Sequence, residues 1–280
     1  MKATKRGREI IMTDNRIRLE RKNRIAIVFM DRPEKKNAFD AAMFEALEKV
    51  TRELEQDLPR AVVLTGADDR SFCAGFDINL ENPMTEEFLD AVNKKDTALA
   101  GKLINRMRRA VDGFVNLPVP LIAAVNGSAY GGGVELATRC DLRVMDIGAE
   151  LCFSEVRLGL MPDWGGGACL ARLVGHAHAA DLILTARVVK ADEALRMGLI
   201  NRVSDKGRCL DDAIKLAELI GQNGPTAIRH ALAVLRQSRD LPLKEALGRE
   251  AEAAADLIAS GECIHGITAF MERKQPKFPD

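Results

Sequence analysis

The sequence predicts an α/β fold followed by a helical C-terminal region. Up to Glu155, short apolar runs rich in β-branched residues alternate with helical patterns. Such runs are typical of buried strands, and their alternation with helices indicates stacked β-α units on a buried sheet. The strands predicted in this part are 24–30, 61–65, 121–125 and 142–147.

The helices follow the 3.6-residue spacing of apolar side chains. In the first part of the chain they are predicted at 41–56, where Asp40 is the expected N-cap, and at 86–115 and 134–140. From about residue 164 the strand patterns nearly vanish, with one short strand predicted at 199–203. The helices predicted there are 166–174, 177–184, 190–198, 209–223, 225–237, 241–259 and 264–274.

Composition and charge exclude several classes of partner. The chain has 280 residues, with 41 Lys plus Arg and 41 Asp plus Glu, so it has no net charge to attract nucleic acid or an anionic membrane. The six cysteines form no CxxC pair, which argues against a zinc or redox motif and favours buried thiols in a reducing compartment. No apolar run is long enough to span a membrane or to form a secretory signal, so we expect a cytoplasmic protein.

Two glycine-containing turns follow predicted strands. Residues 126–135 (NGSAYGGGVE) lead into a helix, whose free N–H groups can stabilise a developing oxyanion. Residues 71–79 (SFCAGFDIN) place Gly75 before Phe76, whose N–H can face a ligand. Taken alone, each segment is equally compatible with tight helix packing or an ordinary turn.

Two acidic residues flank an apolar run in FSEVRLGLMPDWGGG, residues 153–167. Glu155 precedes the run, and a carboxylate at the lip of a hydrophobic pocket has a raised pKa and can act as acid or base. A solvated surface position is the alternative for Glu155. Asp163 can equally be the N-cap of the next helix.

Together these segments resemble the enoyl-CoA hydratase/isomerase (crotonase) superfamily in order and spacing over nearly the whole chain. The resemblance implies a crotonase-like spiral of repeated β-β-α units with a helical C-terminal trimerisation region. It divides the chain into an N-terminal extension (1–20), the spiral core (21–205) and the helical region (206–280). The matching blocks are 32–38, 72–78, 120–144, 154–163, 184–203 and 266–278.

The resemblance also implies an active site. The backbone N–H groups of Phe76 and Gly132 are expected to form an oxyanion hole for the thioester carbonyl. Glu135 and Glu155 match the two glutamates of the family's hydratases and are expected to hold a water between them. The residues expected to contact the coenzyme A arm are Lys36, Asn37, Ala38, Ala74, Asp77 and Ile78, and, from a neighbouring subunit, Phe270 and Lys274.

The expected activity is that of an enoyl-CoA hydratase, a lyase that adds water to an enoyl-CoA to give 3-hydroxyacyl-CoA. Because coenzyme A is part of the substrate, no separate cofactor and no metal are expected. A homotrimer, or a homohexamer made of two trimers, is the expected assembly, with no nucleic-acid or membrane partner.

Two alternatives remain open. Related dienoyl-CoA and ring-forming isomerases have a catalytic Asp at the position of Asp163, which favours double-bond isomerisation as a second function. Some superfamily members lose the carboxylates and act as RNA-binding or structural proteins. The presence of both Glu135 and Glu155 argues against this second possibility.

Overall fold

The computed structural model describes residues 4–5, 8–13, 16–68 and 70–279. Its strands are β1 (Thr4–Lys5), β2 (Arg8–Thr13), β3 (Ile17–Lys22), β4 (Ile25–Met30), β5 (Ala61–Gly66), β6 (Ser71–Cys73), β7 (Leu121–Val125), β8 (Ser128–Tyr130), β9 (Leu142–Asp146), β10 (Glu150–Cys152), β11 (Val189–Lys190) and β12 (Arg202–Ser204). Its α-helices are α1 (Ala41–Gln56), α2 (Pro83–Lys94), α3 (Thr97–Val115), α4 (Gly132–Arg139), α5 (Gly166–Val174), α6 (His176–Thr185), α7 (Ala191–Arg196), α8 (Cys209–Gly221), α9 (Pro225–Ser238), α10 (Leu243–Ala259) and α11 (Cys263–Met271).

The described strands form two sheets. The larger has the order β1-β2-β3-β4-β5-β7-β9-β12, antiparallel up to β4 and parallel from β4 onward. The smaller has the order β11-β10-β8-β6, in which β6, β8 and β10 are parallel. This mixed α/β architecture with parallel sheets confirms the predicted fold class.

Both faces of the larger sheet are covered, which explains why its central strands are apolar throughout. Every residue of β4 and β5 is buried. Val28 in β4 belongs to the core on the α1 and α3 side, whereas its neighbour Ile27 belongs to a second core that includes Ala213 and Ala217 of α8. The two cores are therefore opposite faces of the same strands.

Most predicted helices are confirmed, but the single helix at 86–115 is wrong. The chain forms α2 and α3 instead, because Lys95 adopts a left-handed conformation (φ 51°) that ends α2. The Asp96 side chain then caps α3 by accepting hydrogen bonds from Ala98 N at 2.8 Å and Leu99 N at 3.1 Å. In contrast, α1 spans the predicted residues, with Asp40 as its N-cap.

Several short strands were not predicted. β6, β8 and β10 have three residues each, too few for a periodic pattern, and β8 lies inside the segment predicted as a glycine-rich turn. The predicted strand at 199–203 is confirmed only in part, as β12. β2 lies in the predicted N-terminal extension and pairs with β3, which crosses the predicted boundary between residues 20 and 21. The division of the chain into three parts stays a prediction.

The last three helices, α9 to α11, lie on the outside of the molecule. α9 and α10 pack together, and neither has a fully buried residue. All six cysteines are free thiols and four of them are buried, as predicted. Among the helices of the described residues, none combines the length and apolar character needed to cross a bilayer.

Candidate active site

Glycines bring two backbone segments together where β6 and β8 end. Gly75 has a left-handed backbone (φ 87°), and a Cβ atom added there would lie 2.7 Å from the amide nitrogen of Gly132. A Cβ atom on Gly133 would lie 2.1 Å from the carbonyl oxygen of Cys73. Only glycine fits at these two positions, so the segment after β6 lies directly against the start of α4.

The amide groups of Phe76 and Gly132 lie in this contact region. Phe39 N donates to Gly75 O at 2.8 Å and Asp77 N donates to Phe39 O at 2.9 Å, so the Phe76 N–H points away from Phe39. Gly132 is the first residue of α4, and its N–H has no partner within the helix. Within the described part of the chain, neither amide donates a hydrogen bond, and both remain available to a ligand.

Glu135, in the first turn of α4, is completely buried and bound by backbone amides. Its carboxylate accepts hydrogen bonds from Asp163 N at 3.1 Å, Trp164 N at 3.0 Å and Gly166 N at 2.8 Å. The last two donors lie at the start of α5, whose N-cap Gly165 has no side chain to cap it. Glu135 therefore caps α5 from the neighbouring helix.

Glu155 begins the short 3-10 helix Glu155–Leu158 after β10 and is also buried. Among the described residues, no group makes a hydrogen bond of good geometry to either of its carboxylate oxygens. A Cβ atom added to Gly131 would lie 3.7 Å from Glu155 Oε1, so this carboxyl group faces the backbone just before Gly132.

The two glutamates are close enough to affect each other's ionisation. Burial raises the pKa of Glu135, ionisation of Glu155 would raise it further, and the amides of Gly166 and Trp164 act in the opposite direction. Burial likewise raises the pKa of Glu155. The pair therefore retains a proton at higher pH than two separate surface carboxylates would.

Asp163 is the third carboxyl group of the cluster. Burial and the charge of Glu135 raise its pKa to about 6, while Arg108 partly opposes this shift. The interpretation of Asp163 as a helix N-cap is wrong, because Gly165 occupies the cap position and no side chain caps α5 from there.

Trp164 closes one side of the cluster. Its side chain is fully buried and packs edge-on against Phe39 and Phe44, with ring centroids 5.3 Å and 5.2 Å away. A Cβ atom on Gly132 would lie 2.7 Å from Cδ2 of the indole ring. The ring therefore lies directly against the backbone of Gly132.

The residues predicted near the coenzyme A arm form two adjacent segments. Lys36 and Asn37 both have positive φ (52° and 56°), and Lys36 O accepts a hydrogen bond from Ala74 N at 3.0 Å. The Asn37 side chain donates to Ser71 O at 2.9 Å, which joins this turn, and the following Ala38, to β6. The structure thus brings 36–38 and 74–78 together.

The Asp77 carboxylate is hydrogen-bonded to other residues of the protein. Its carboxylate accepts a hydrogen bond from Arg32 Nη1 at 2.6 Å and one from Asn79 N at 3.0 Å. Burial opposes ionisation, but these hydrogen bonds hold the pKa of Asp77 below its usual value. The next residue, Ile78, is largely exposed. Asp77 thus fixes the loop, while Ile78 presents a free apolar side chain beside it.

Phe270 and Lys274 lie far from this cluster in the same chain. Both are exposed in or just after α11, where Lys274 pairs with Glu272. Near the C-terminus, Phe278 packs against His265 of α11, and Arg60 donates a hydrogen bond to Phe278 O. Arg60 precedes β5, so this contact lies at the end of the larger sheet opposite to the end that carries the site. Their contact with coenzyme A therefore stays a prediction for a neighbouring subunit.

The sequence analysis missed Arg139, which donates a hydrogen bond to Trp164 O, and Asp112, which pairs with Arg139. Arg139 lies one turn after Glu135 on α4, and this four-residue spacing was the signal available in the sequence. The described residues contain no group of three or more His, Cys, Asp or Glu side chains arranged to hold a metal ion.

The chain belongs to the enoyl-CoA hydratase/isomerase family, whose sequence model matches residues 20–280. This family acts on acyl-CoA substrates. The short-chain-enoyl-CoA hydratase of Clostridium acetobutylicum is 35% identical to this chain over 262 residues, covering 93% of this chain and 96% of the relative. The crotonyl-CoA hydratase of Syntrophomonas wolfei is 34% identical over 269 residues, covering 95% and 99%.

Solved structures agree with this assignment. The crystal structure of an enoyl-CoA hydratase from Bacillus anthracis superposes with a TM-score of 0.85 at 30% identity, covering 94% of this chain and 98% of that one. The predicted superfamily and the crotonase fold are therefore confirmed.

Proposed function

We propose that the protein is an enoyl-CoA hydratase that adds water across the α,β double bond of an enoyl-CoA thioester. The observation that carries the proposal is the pair of buried carboxyl groups, Glu135 and Glu155, beside two unpaired backbone amides. Hydration needs a base for the water, an acid for the α carbon and a site for the charge on the carbonyl oxygen. The cluster has a candidate for each.

The hydrogen bonds distinguish the base from the acid. Three backbone N–H groups favour the ionised form of Glu135, whereas the only donors near the buried Glu155 carboxyl group are its own backbone N–H and Glu135, neither in good geometry, which favours its protonated form. We therefore assign the shared proton to Glu155. Glu135 then acts as the general base and Glu155 as the general acid.

The reaction follows from this distribution of charge. A water held between the carboxyl groups gives a proton to Glu135 while its oxygen bonds to the β carbon. The electron pair of the double bond moves to the α carbon and the thioester oxygen, where the N–H groups of Phe76 and Gly132 stabilise the negative charge. Glu155 then gives its proton to the α carbon, and the proton on Glu135 returns to Glu155 through solvent.

The printed names of the relatives support this choice, since the proteins from Clostridium and Syntrophomonas are both named as hydratases of short enoyl-CoA substrates. The test is the ultraviolet absorbance of crotonyl-CoA mixed with the purified protein. Loss of the conjugated enoyl signal, with 3-hydroxybutyryl-CoA as product, is the expected result. Chelators and extensive dialysis should leave the rate unchanged, because no cofactor or metal is proposed.

A second candidate, double-bond isomerisation, is favoured by Asp163. This third carboxyl group, with a pKa of about 6, can exchange a proton at a carbon beyond the β position. If 3-enoyl or dienoyl substrates are converted while no α,β-unsaturated thioester is hydrated, the isomerase assignment replaces the hydratase. D163N should then lose the activity, whereas in a hydratase it should retain most of it.

We also propose that copies of the chain assemble through the C-terminal helices. Leu243, Leu247, Ile258, Ile264 and Phe270 are all more than half exposed on α10 and α11, and single chains rarely expose so many apolar side chains on adjoining helices. Light scattering coupled to size-exclusion chromatography should give the mass of a trimer or of a hexamer. A monomer at micromolar concentration would overturn this proposal without affecting the proposed reaction.

A further inference from the structure

The loop that carries Asp163 and Trp164 is bound from two successive turns of α4. Glu135 accepts the N–H groups of the loop, and Arg139, four residues later, donates from Nη1 to Trp164 O at 2.8 Å. The guanidinium group also packs on Gly165, where an added Cβ atom would lie 3.2 Å from Nη1. The peptide units of the loop are thus held on their N–H side by a carboxylate and on their carbonyl side by a cation.

Arg139 is itself fixed by α3. Its Nη1 lies 2.6 Å from Asp112 Oδ1, and its side chain is only 11% exposed. Arg108 Nη2 lies 3.5 Å from the other carboxylate oxygen of Asp112. The Asp112 side chain is 36% exposed, so the pair is buried mainly on its Arg139 side, where the short contact restrains the guanidinium group.

We infer that Arg139, held in place by Asp112, is a positioning residue that sets the location of the 163–166 loop and hence the orientation of the Glu135 carboxylate. The inference rests on the proposed function for its catalytic consequence, but the placement of the loop can be measured without any activity.

The consequence for catalysis follows from the hydrogen bonds of Glu135. If the Trp164 carbonyl loses its donor, the peptide units of the loop can rotate and the N–H groups no longer point at the carboxylate. Glu135 then loses the interactions that favour its ionised form and is protonated at higher pH. The charged groups around this site are Glu155 from the turn after β10, Asp163 from the loop itself, and Arg108, Asp112 and Arg139 from α3 and α4.

Trp164 provides a direct readout, because it is the only tryptophan in the chain and lies inside the loop. In R139Q we expect the tryptophan emission to shift to longer wavelength and to be quenched more strongly by acrylamide. R139K keeps a cation that can reach Trp164 O, so it should restore most of the wild-type emission. D112N, which weakens the hold on Arg139 at a partly exposed position, should shift the emission in the same direction but less.

The matched control is R236Q. Arg236 also joins an aspartate to backbone carbonyls, with Nη2 at 2.6 Å from Asp141 Oδ2 and Nη1 at 2.8 Å from Leu117 O, but it lies on α9 and touches neither the loop nor the glutamates. It controls for the general loss of a half-buried ion pair. R236Q should leave the tryptophan emission and the pH profile unchanged.

Kinetics of crotonyl-CoA hydration complete the test. R139Q should lower kcat by roughly 10- to 100-fold with little change in KM, and should move the acid limb of the kcat profile to higher pH. Folded R139Q or D112N with wild-type emission and an unshifted acid limb would overturn the inference. If the wild-type protein hydrates nothing, the proposed function fails, while the emission of Trp164 still decides whether Arg139 positions the loop.

Discussion

The glutamates of the site have opposite surroundings, although both are buried. Glu135 accepts three backbone hydrogen bonds, whereas Glu155 accepts none of good geometry from the described residues. The same substitution should therefore affect stability differently at the two positions. The difference provides a test of the roles that is independent of catalysis.

We predict that E135Q and E155Q each lower kcat for hydration by about 100- to 10,000-fold, because each removes a proton-transfer group. E155Q should raise the free energy of unfolding at neutral pH, since it replaces a buried ionisable group without a donor of good geometry. E135Q should have a lower free energy of unfolding than E155Q, because a side-chain NH2 group then faces backbone N–H groups. Urea denaturation measures both, with E45Q, at an exposed position of α1, as the control. Equal stability changes in E135Q and E155Q would contradict the assigned surroundings.

Asp163 should make stability depend on pH. Its pKa is raised from 3.8 to about 6, so the folded state holds a proton that the unfolded state releases first. Stability from this group is complete below pH 3.8 and is lost as the pH rises to about 6. D163N cannot ionise, so its stability relative to the wild-type protein should increase from pH 4 to pH 7. Parallel pH curves for the two proteins in urea denaturation would exclude this shift.

At the scale of elements, the start of α4 is fixed by contact with β6. A Cβ atom on Gly133 would meet the carbonyl oxygen of Cys73 at 2.1 Å, and a backbone atom within a sheet cannot move away. We predict that G133A lowers the free energy of unfolding by about 3 kcal/mol. G101A in α3 is the matched control, since nothing lies within 4 Å of its added methyl group. That variant should be neutral or stabilising by up to about 1 kcal/mol.

Some secondary-structure elements could be predicted from the sequence and others could not. Long amphipathic helices such as α1 were predicted because their apolar spacing is local. The break between α2 and α3 was missed, because the helical spacing continues through Lys95, whose left-handed backbone has no strong sequence signal. The three-residue strands β6, β8 and β10 were missed because pairing with distant segments defines them.

The residues of the cluster were likewise identified only in part from the sequence. Glu135, Glu155 and Asp163 were identified through resemblance to a family, and the structure places them in one cluster. Arg139 was missed because its partner in the loop is the carbonyl group of Trp164, so the signal in the sequence was limited to its four-residue spacing from Glu135.

For the whole molecule, the important feature is that both cores share the strands of the larger sheet. Ile27 faces α8 in the second core, and Trp164 lies in the first. We predict that I27A lowers the free energy of unfolding by about 2–5 kcal/mol. The denaturation midpoints from Trp164 emission and from far-UV circular dichroism should still coincide at a fixed protein concentration, because neither core can persist without the shared strands. Separate midpoints would mean that the α8 side unfolds independently.

The proposed use of main-chain amides at Phe76 and Gly132 to bind the thioester carbonyl has an evolutionary consequence. Every residue type except proline keeps an N–H group, so most single substitutions at position 76 would leave this proposed pair intact. The carboxyl groups, in contrast, are lost or gained by single codon changes at positions 135, 155 and 163. A lineage built on this scaffold can therefore retain thioester activation by inheritance while its chemistry diversifies one side chain at a time.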